Sequence, residues 1–192
     1  MWVNMRKVIL ASESPRRREL MSSLGLNYMT ASARIEEYFD ASLSVEEAVM
    51  QVAEAKATAV QQQYPNDIIL GADTIVVVDD EIMGKPKNDE DAKRMLEKLS
   101  GREHRVLTGV AILRKEEKEL FVEETKVYFY DFDESILAWY LGTKESKDKA
   151  GAYGIQGKGS VLVRRIEGDY YNVVGLPLAE TYRRLRKYIY QK

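Results

Sequence analysis

The chain has 192 residues, 45% of them hydrophobic and 31% charged, which suits one globular domain, or a domain with a small lobe, and excludes a disordered chain. Its 29 Lys and Arg against 31 Asp and Glu leave a formal charge of −2, so no global basic excess argues for non-specific nucleic-acid binding. Cysteine is absent, which excludes disulfides, thiolate catalysis and thiolate metal sites and fits a reducing compartment.

The apolar run Val8 to Ala11 is too short for a secretory h-region or a membrane span, so a cytoplasmic protein is expected. Met5 stands just before Arg6-Lys7, so residues 1 to 4 read as a dispensable extension or an alternative start. Lys7 to Ala11 reads as a short buried strand. Ser14-Pro15 opens a helix, with Ser as N-cap and Pro at its first position, and Gly25 stops it. Ser44 to about Tyr64 is the clearest helix: Ser44 and Glu47 form a capping box, and Val45, Val49 and Val52 mark an apolar stripe. Ile68 to Val78 is rich in β formers, and Asp79-Asp80 turns it into Ile82-Met83. Asn88 to Leu99 is a helix with Ala92, Met95, Leu96 and Leu99 inward. His104 to Leu113 and Leu120 to Tyr130 are strands around a charged turn at Lys115 to Lys118. A short helix over Glu134 to Leu141, a glycine-rich stretch over Gly151 to Gly159, a strand over Val161 to Ile166 and a basic amphipathic helix from about Leu178 complete the chain. Helices and strands alternate irregularly, with adjacent strands in the middle, which predicts an α/β fold with a mixed sheet.

Several residues break this pattern. Asp73 lies inside the apolar run Ile68 to Val78. A polar group buried without a partner costs roughly 1–3 kcal/mol and a charge costs more, so Asp73 either caps a turn at a strand end or serves as a metal-binding or base carboxylate. Lys56 falls on the helix face of Val45, Val49 and Val52, where it either snorkels or points its cation at a phosphate or a carboxylate. Ser12-Glu13-Ser14-Pro15-Arg16-Arg17-Arg18 joins a strand to a helix N-terminus, a natural anion site, although an ordinary capped helix has the same look. Lys85 sits in a Gly84-Lys85-Pro86 turn that could approach a phosphate or lie plainly at the surface. Glu36-Glu37 adds two carboxylates in a loop. Gly157-Lys158-Gly159-Ser160 resembles a phosphate-binding loop only in part, because Ala152 takes the place of its first glycine. His104, the single histidine, makes a zinc site improbable and reads as structural or as a surface residue.

Together these blocks resemble the Maf family. Ala11-Ser12-Glu13-Ser14-Pro15-Arg16-Arg17 looks like its N-terminal signature. Gly71-Ala72-Asp73-Thr74, Gly84-Lys85-Pro86, Leu99-Ser100-Gly101 with Thr108-Gly109, Lys149 to Gly157, and Asn172 to Pro177 follow in order, spanning nearly the whole chain. The resemblance implies a single domain over residues 1 to 192 of the Maf/ITPase-like kind: mixed α/β, an elongated central sheet flanked by helices, and two lobes with a cleft between them, in a homodimer. It implies a nucleoside triphosphate pyrophosphatase dependent on a divalent metal, Mg or Mn. The catalytic aspartate falls on Asp73, phosphate-binding residues on Ser12, Arg17, Lys56 and Lys85, and metal ligands on Asp73, Glu36 and Glu37. Arg16, Thr74 and Gln156 match the branch that acts on dTTP and UTP. Glu36 departs from the Asp found in many members. The competing expectation is a non-catalytic nucleotide-binding regulator of septum formation; neither membrane nor nucleic acid is expected as a partner.

Overall fold

The computed structural model describes residues 6–190, so the expected extension or alternative start at residues 1 to 4 lies outside the described residues. The elements run β1 (Val8–Ala11), α1 (Pro15–Ser23), β2 (Tyr28–Thr30), α2 (Val45–Gln61), β3 (Ile68–Val78), β4 (Glu81–Met83), α3 (Asp89–Leu99), β5 (Glu103–Arg114), β6 (Glu117–Phe129), α4 (Glu134–Gly142), β7 (Val163–Glu167), α5 (Tyr170–Val174) and α6 (Leu178–Ile189). The strands form a seven-stranded sheet in the order β2-β1-β3-β5-β6-β7, with β4 paired to β3. β1 is parallel to β2 and β3, whereas β3/β4 and β6/β7 are antiparallel, so the mixed α/β expectation holds.

Local chemistry explains most boundaries. Ser14 caps α1, whose first residue is Pro15, and Gly25 takes φ 64 just beyond its end. Ser44 and Glu47 close a reciprocal capping box on α2, and Asn88 accepts from the Asp91 N–H at 2.8 Å to start α3. Val78 pairs with Glu81, leaving Asp79 (φ 51) and Asp80 (φ 59) as a two-residue hairpin loop with both residues left-handed. Three expectations needed correction. The stretch Gly157–Leu162 is a 3₁₀ turn, so β7 begins only at Val163. The charged turn shrinks to Lys115-Glu116 because β6 begins at Glu117. β2 and α5 went unforeseen, being three and five residues long, too short to show a period.

The chain divides into two compact units. One comprises the described residues up to Asp73, with Thr108–Glu123 and those from Gly175 onward; the other comprises Thr74–Leu107 and Glu124–Val174. In the first, Ala53, Ala57 and Val60 of α2 pack on Ile9 and Ala11 of β1, Ile69 of β3, and Ala111 and Leu113 of β5. In the second, Met95, Leu96 and Leu99 of α3 join Val76, Phe129, Tyr140, Tyr153 and Leu162. Each large apolar side chain so buried contributes roughly 1.5–3 kcal/mol. Among the described residues no helix is long and apolar enough to cross a membrane.

Candidate active site

In the first unit, β1 ends at Ala11 and the chain turns through Ser12 into α1. Ser12 is buried, and its Oγ accepts hydrogen bonds from the Ser14 N–H at 3.2 Å and from Arg17 Nη1 at 3.4 Å. Arg17 is buried as well, and its Nε donates to the Gly175 carbonyl at 2.7 Å. Burial lowers the Arg17 pKa, the charge of Asp73 opposes that shift, Arg16 adds to it and Glu37 opposes it. An arginine nonetheless stays protonated, so it brings a fixed positive charge into a partly dry place beside two carboxylates.

The acid in the apolar run has a partner. Asp73 lies mid-strand in β3 rather than at a turn, and Lys56 Nζ of α2 sits 2.6 Å from its Oδ1. The same ammonium is 2.7 Å from Glu37 Oε1. The Lys56 and Asp73 side chains are only 11% and 8% exposed, so this is a buried pair, whereas Glu37 at 40% reaches water. Local packing makes the pair possible. Ala53, Lys56, Ala57 and Val60 share one face of α2. Gly71, two residues before Asp73 and on the same face of β3, lets that helix approach: a Cβ there would stand 2.4 Å from the Ala53 carbonyl oxygen and 2.9 Å from Ala57 Cβ. The stripe expected on α2 is displaced slightly, since Val45 is only half-buried while Ala48, Val49 and Val52 are buried.

Among the expected residues, Ser12, Arg17, Glu37, Lys56 and Asp73 are linked through these contacts and charges. Arg16 is half-buried on α1. Glu36 is exposed and takes no part in the Lys56 pairing. Among the described residues no group of three or more His, Asp or Glu gathers as a ready metal cage. The donor set of Asp73 and Glu37 nonetheless suits a hard cation of the magnesium type, which takes one or two carboxylates and completes its shell with phosphate oxygens and water.

In the second unit, Thr74 follows Asp73 directly on β3 and is half-buried. Lys85 is exposed in the turn after β4, and that turn is tied down by a hydrogen bond from the Gly151 N–H to the Gly84 carbonyl at 3.1 Å. Gln156 is exposed and stands at the N-cap position of the 3₁₀ turn Gly157–Leu162. His104 is buried against Phe129 and hydrogen-bonds the Tyr153 hydroxyl at 2.7 Å, so its role is structural. Burial pushes its pKa down to about 3.

Comparison with known proteins matches residues 7–188 to the family described as Maf-like protein. The chain belongs to the Maf family. It is 50% identical over 183 residues to a protein of Geobacillus sp. (strain WCH70) called dTTP/UTP pyrophosphatase, covering 95% of this chain and 98% of that one. A protein of the same description from Bacillus velezensis is 48% identical, covering 95% and 97%. Among solved structures, the Ham1 protein of Staphylococcus aureus matches at 16% identity with a TM-score of 0.45, over 66% of this chain and 73% of that one.

Sequence alone missed the Gly175 carbonyl, because a backbone acceptor carries no residue-type signal. It also left open whether Lys56 faced a phosphate or a carboxylate; in the structure its ammonium lies against two carboxylates, Glu37 and Asp73.

Proposed function

We propose that this Maf protein is a nucleoside triphosphate pyrophosphatase that hydrolyses dTTP and UTP to the monophosphate and pyrophosphate. The observation that carries the chemistry is the buried Lys56 ammonium held between Asp73 and Glu37 with Arg17 nearby. The substrate assignment rests on the full-length likeness to dTTP/UTP pyrophosphatases and on Arg16, Thr74 and Gln156.

Arg17, Lys56 and Lys85, with the Ser12 hydroxyl, meet the negative charge of the triphosphate. Lys56 takes Asp73 Oδ1 and so fixes the carboxylate; the second carboxylate oxygen is assigned to the attacking water. The water oxygen bonds to the α-phosphorus, the bond from that phosphorus to the bridging α–β oxygen breaks, and pyrophosphate leaves. The water proton passes to Asp73. Positioning and charge stabilisation account for most of the acceleration in such transfers. Mg²⁺ or Mn²⁺, held by Asp73 and Glu37 with Glu36 adjacent in the chain, would supply neutralisation of phosphate charge. Gln156, which both donates and accepts, pairs with the O4 and N3–H edge of thymine or uracil. Residues 1 to 192 are read as a single domain carrying this one activity. The cytoplasm is the place where such substrates are free, and a homodimer is the assembly that family resemblance implies; a monomer by sedimentation would overturn the latter.

The test is pyrophosphate release from a panel of nucleoside triphosphates, with and without a chelator. Release from dTTP and UTP that stops on chelation and in a folded Asp73→Asn variant is expected. Near-normal turnover by folded Asp73→Asn would sink the assignment. Nucleotide binding without any release by the unmodified protein would favour a regulatory, non-catalytic role.

A further inference from the structure

A helix or 3₁₀ turn begins with backbone N–H groups that have no partner within it, and the N-cap side chain ordinarily satisfies one of them. Gln156 holds that position before Gly157–Leu162, with φ −86 and ψ 162, yet its side chain makes no capping hydrogen bond. The missing acceptor comes from elsewhere. Glu145, 13 residues before Lys158, accepts from the Lys158 N–H through Oε2 at 3.0 Å. Gly157 makes room for that carboxylate: its φ is 66, and a Cβ there would lie 3.0 Å from Glu145 Oε2.

The rest of the segment is pinned in the same way. Lys149 lays its stem over Gly154, where a Cβ would meet its Cε at 2.8 Å, and its ammonium donates to the Glu145 carbonyl at 2.5 Å. Gly159 is buried so closely on the Gly154 carbonyl oxygen that a Cβ would stand 2.2 Å from it. Ile155 is buried just before Gln156. Gln156 is therefore an exposed side chain on a backbone held on both sides, with its cap supplied by a different residue.

We infer that Glu145 is a positioning residue for substrate selection: its carboxylate caps the turn after Gln156 and so frees and orients the Gln156 amide toward the pyrimidine base. The inference rests on the proposed dTTP and UTP activity and names a residue that the activity itself does not require to touch substrate.

The experiment measures kcat and KM for dTTP and dCTP in the full chain and in Glu145→Ala, Glu145→Gln, Gln156→Ala and the Glu145→Ala/Gln156→Ala double variant. Glu145→Leu, close in volume but lacking an acceptor, runs beside Glu145→Ala so that a folding defect in one leaves the comparison intact. Loss of one charge-assisted hydrogen bond predicts that Glu145→Ala and Glu145→Leu raise KM for dTTP by about tenfold, leave kcat within about threefold, and narrow the preference for dTTP over dCTP. Glu145→Gln keeps an acceptor oxygen and should stay within about twofold of the unmodified protein. In the Gln156→Ala background, removing Glu145 should change the preference no further. An unmodified protein that prefers dTTP, with Glu145→Ala and Glu145→Leu equally selective, overturns the role of Glu145 alone, as does an equal loss of preference with and without Gln156. An unmodified protein with no activity on dTTP overturns the pyrophosphatase reading and this inference with it.

Discussion

At the scale of single residues, charge burial sets the behaviour of the site. Asp73 is tolerable inside an apolar strand because Lys56 neutralises it at hydrogen-bond distance. Removing one partner of a buried pair strands the other, which costs about 3–5 kcal/mol in favourable cases. Lys56→Met should therefore lower stability in urea unfolding far more than Asp73→Asn, whose amide oxygen still accepts from Lys56. His104 is another buried titratable group. Unfolded, it takes up a proton as pH falls through its ordinary 6.5; folded, it resists protonation until about pH 3. Between those values the unfolded chain holds more protons, so the contribution is complete above 6.5 and is lost as pH drops through this window. Each unit of pH then removes up to about 1.4 kcal/mol for one proton. Thermal unfolding from pH 7 to pH 4 should show this slope, and His104→Gln should flatten it.

At the scale of elements, the approach of α2 to the sheet decides whether Lys56 reaches Asp73. Gly71 and Gly109 both face α2 at distances that no Cβ tolerates, 2.4 Å from the Ala53 oxygen and 2.5 Å from the Val49 oxygen. The obstructing atoms are backbone, so the helix itself must shift. Gly71→Ala should cost about 1–3 kcal/mol in denaturant unfolding and lower pyrophosphate release at the same time. Ser44→Ala offers the contrast: it breaks the capping box and should cost about 1 kcal/mol while leaving turnover nearly unchanged. If Gly71→Ala kept full turnover, the link between helix approach and the Lys56–Asp73 pair would be wrong.

At the scale of the whole molecule, catalysis and binding can be separated. A ligand that binds only the folded chain stabilises it by about 2.7 kcal/mol at one hundred times its dissociation constant. Asp73→Asn should keep this dTTP-dependent rise in melting temperature while losing pyrophosphate release, because the phosphate contacts proposed for Ser12, Arg17 and Lys85 do not require the Asp73 carboxylate. Loss of the thermal shift together with activity would mean that Asp73 chiefly builds the binding site.

The candidate site residues that could be read from the chain are those that violate a local rule: an acid in an apolar strand, a lysine on an apolar helix face, hydroxyls and arginines where a strand meets a helix. Caps, hairpin residues and most element boundaries were legible for the same reason, since each depends on neighbours within a few positions. Tertiary structure alone decided what those residues face. Arg17 finds its acceptor in Gly175, 158 positions away, and Lys56 chooses Glu37 as well as Asp73. It alone turned Glu145, an unremarked member of a charged run, into the cap of a turn. Local propensity acts over a few bonds and is written in residue types, whereas a hydrogen bond between distant segments depends on how the sheet and helices bring them together, and no single residue encodes that.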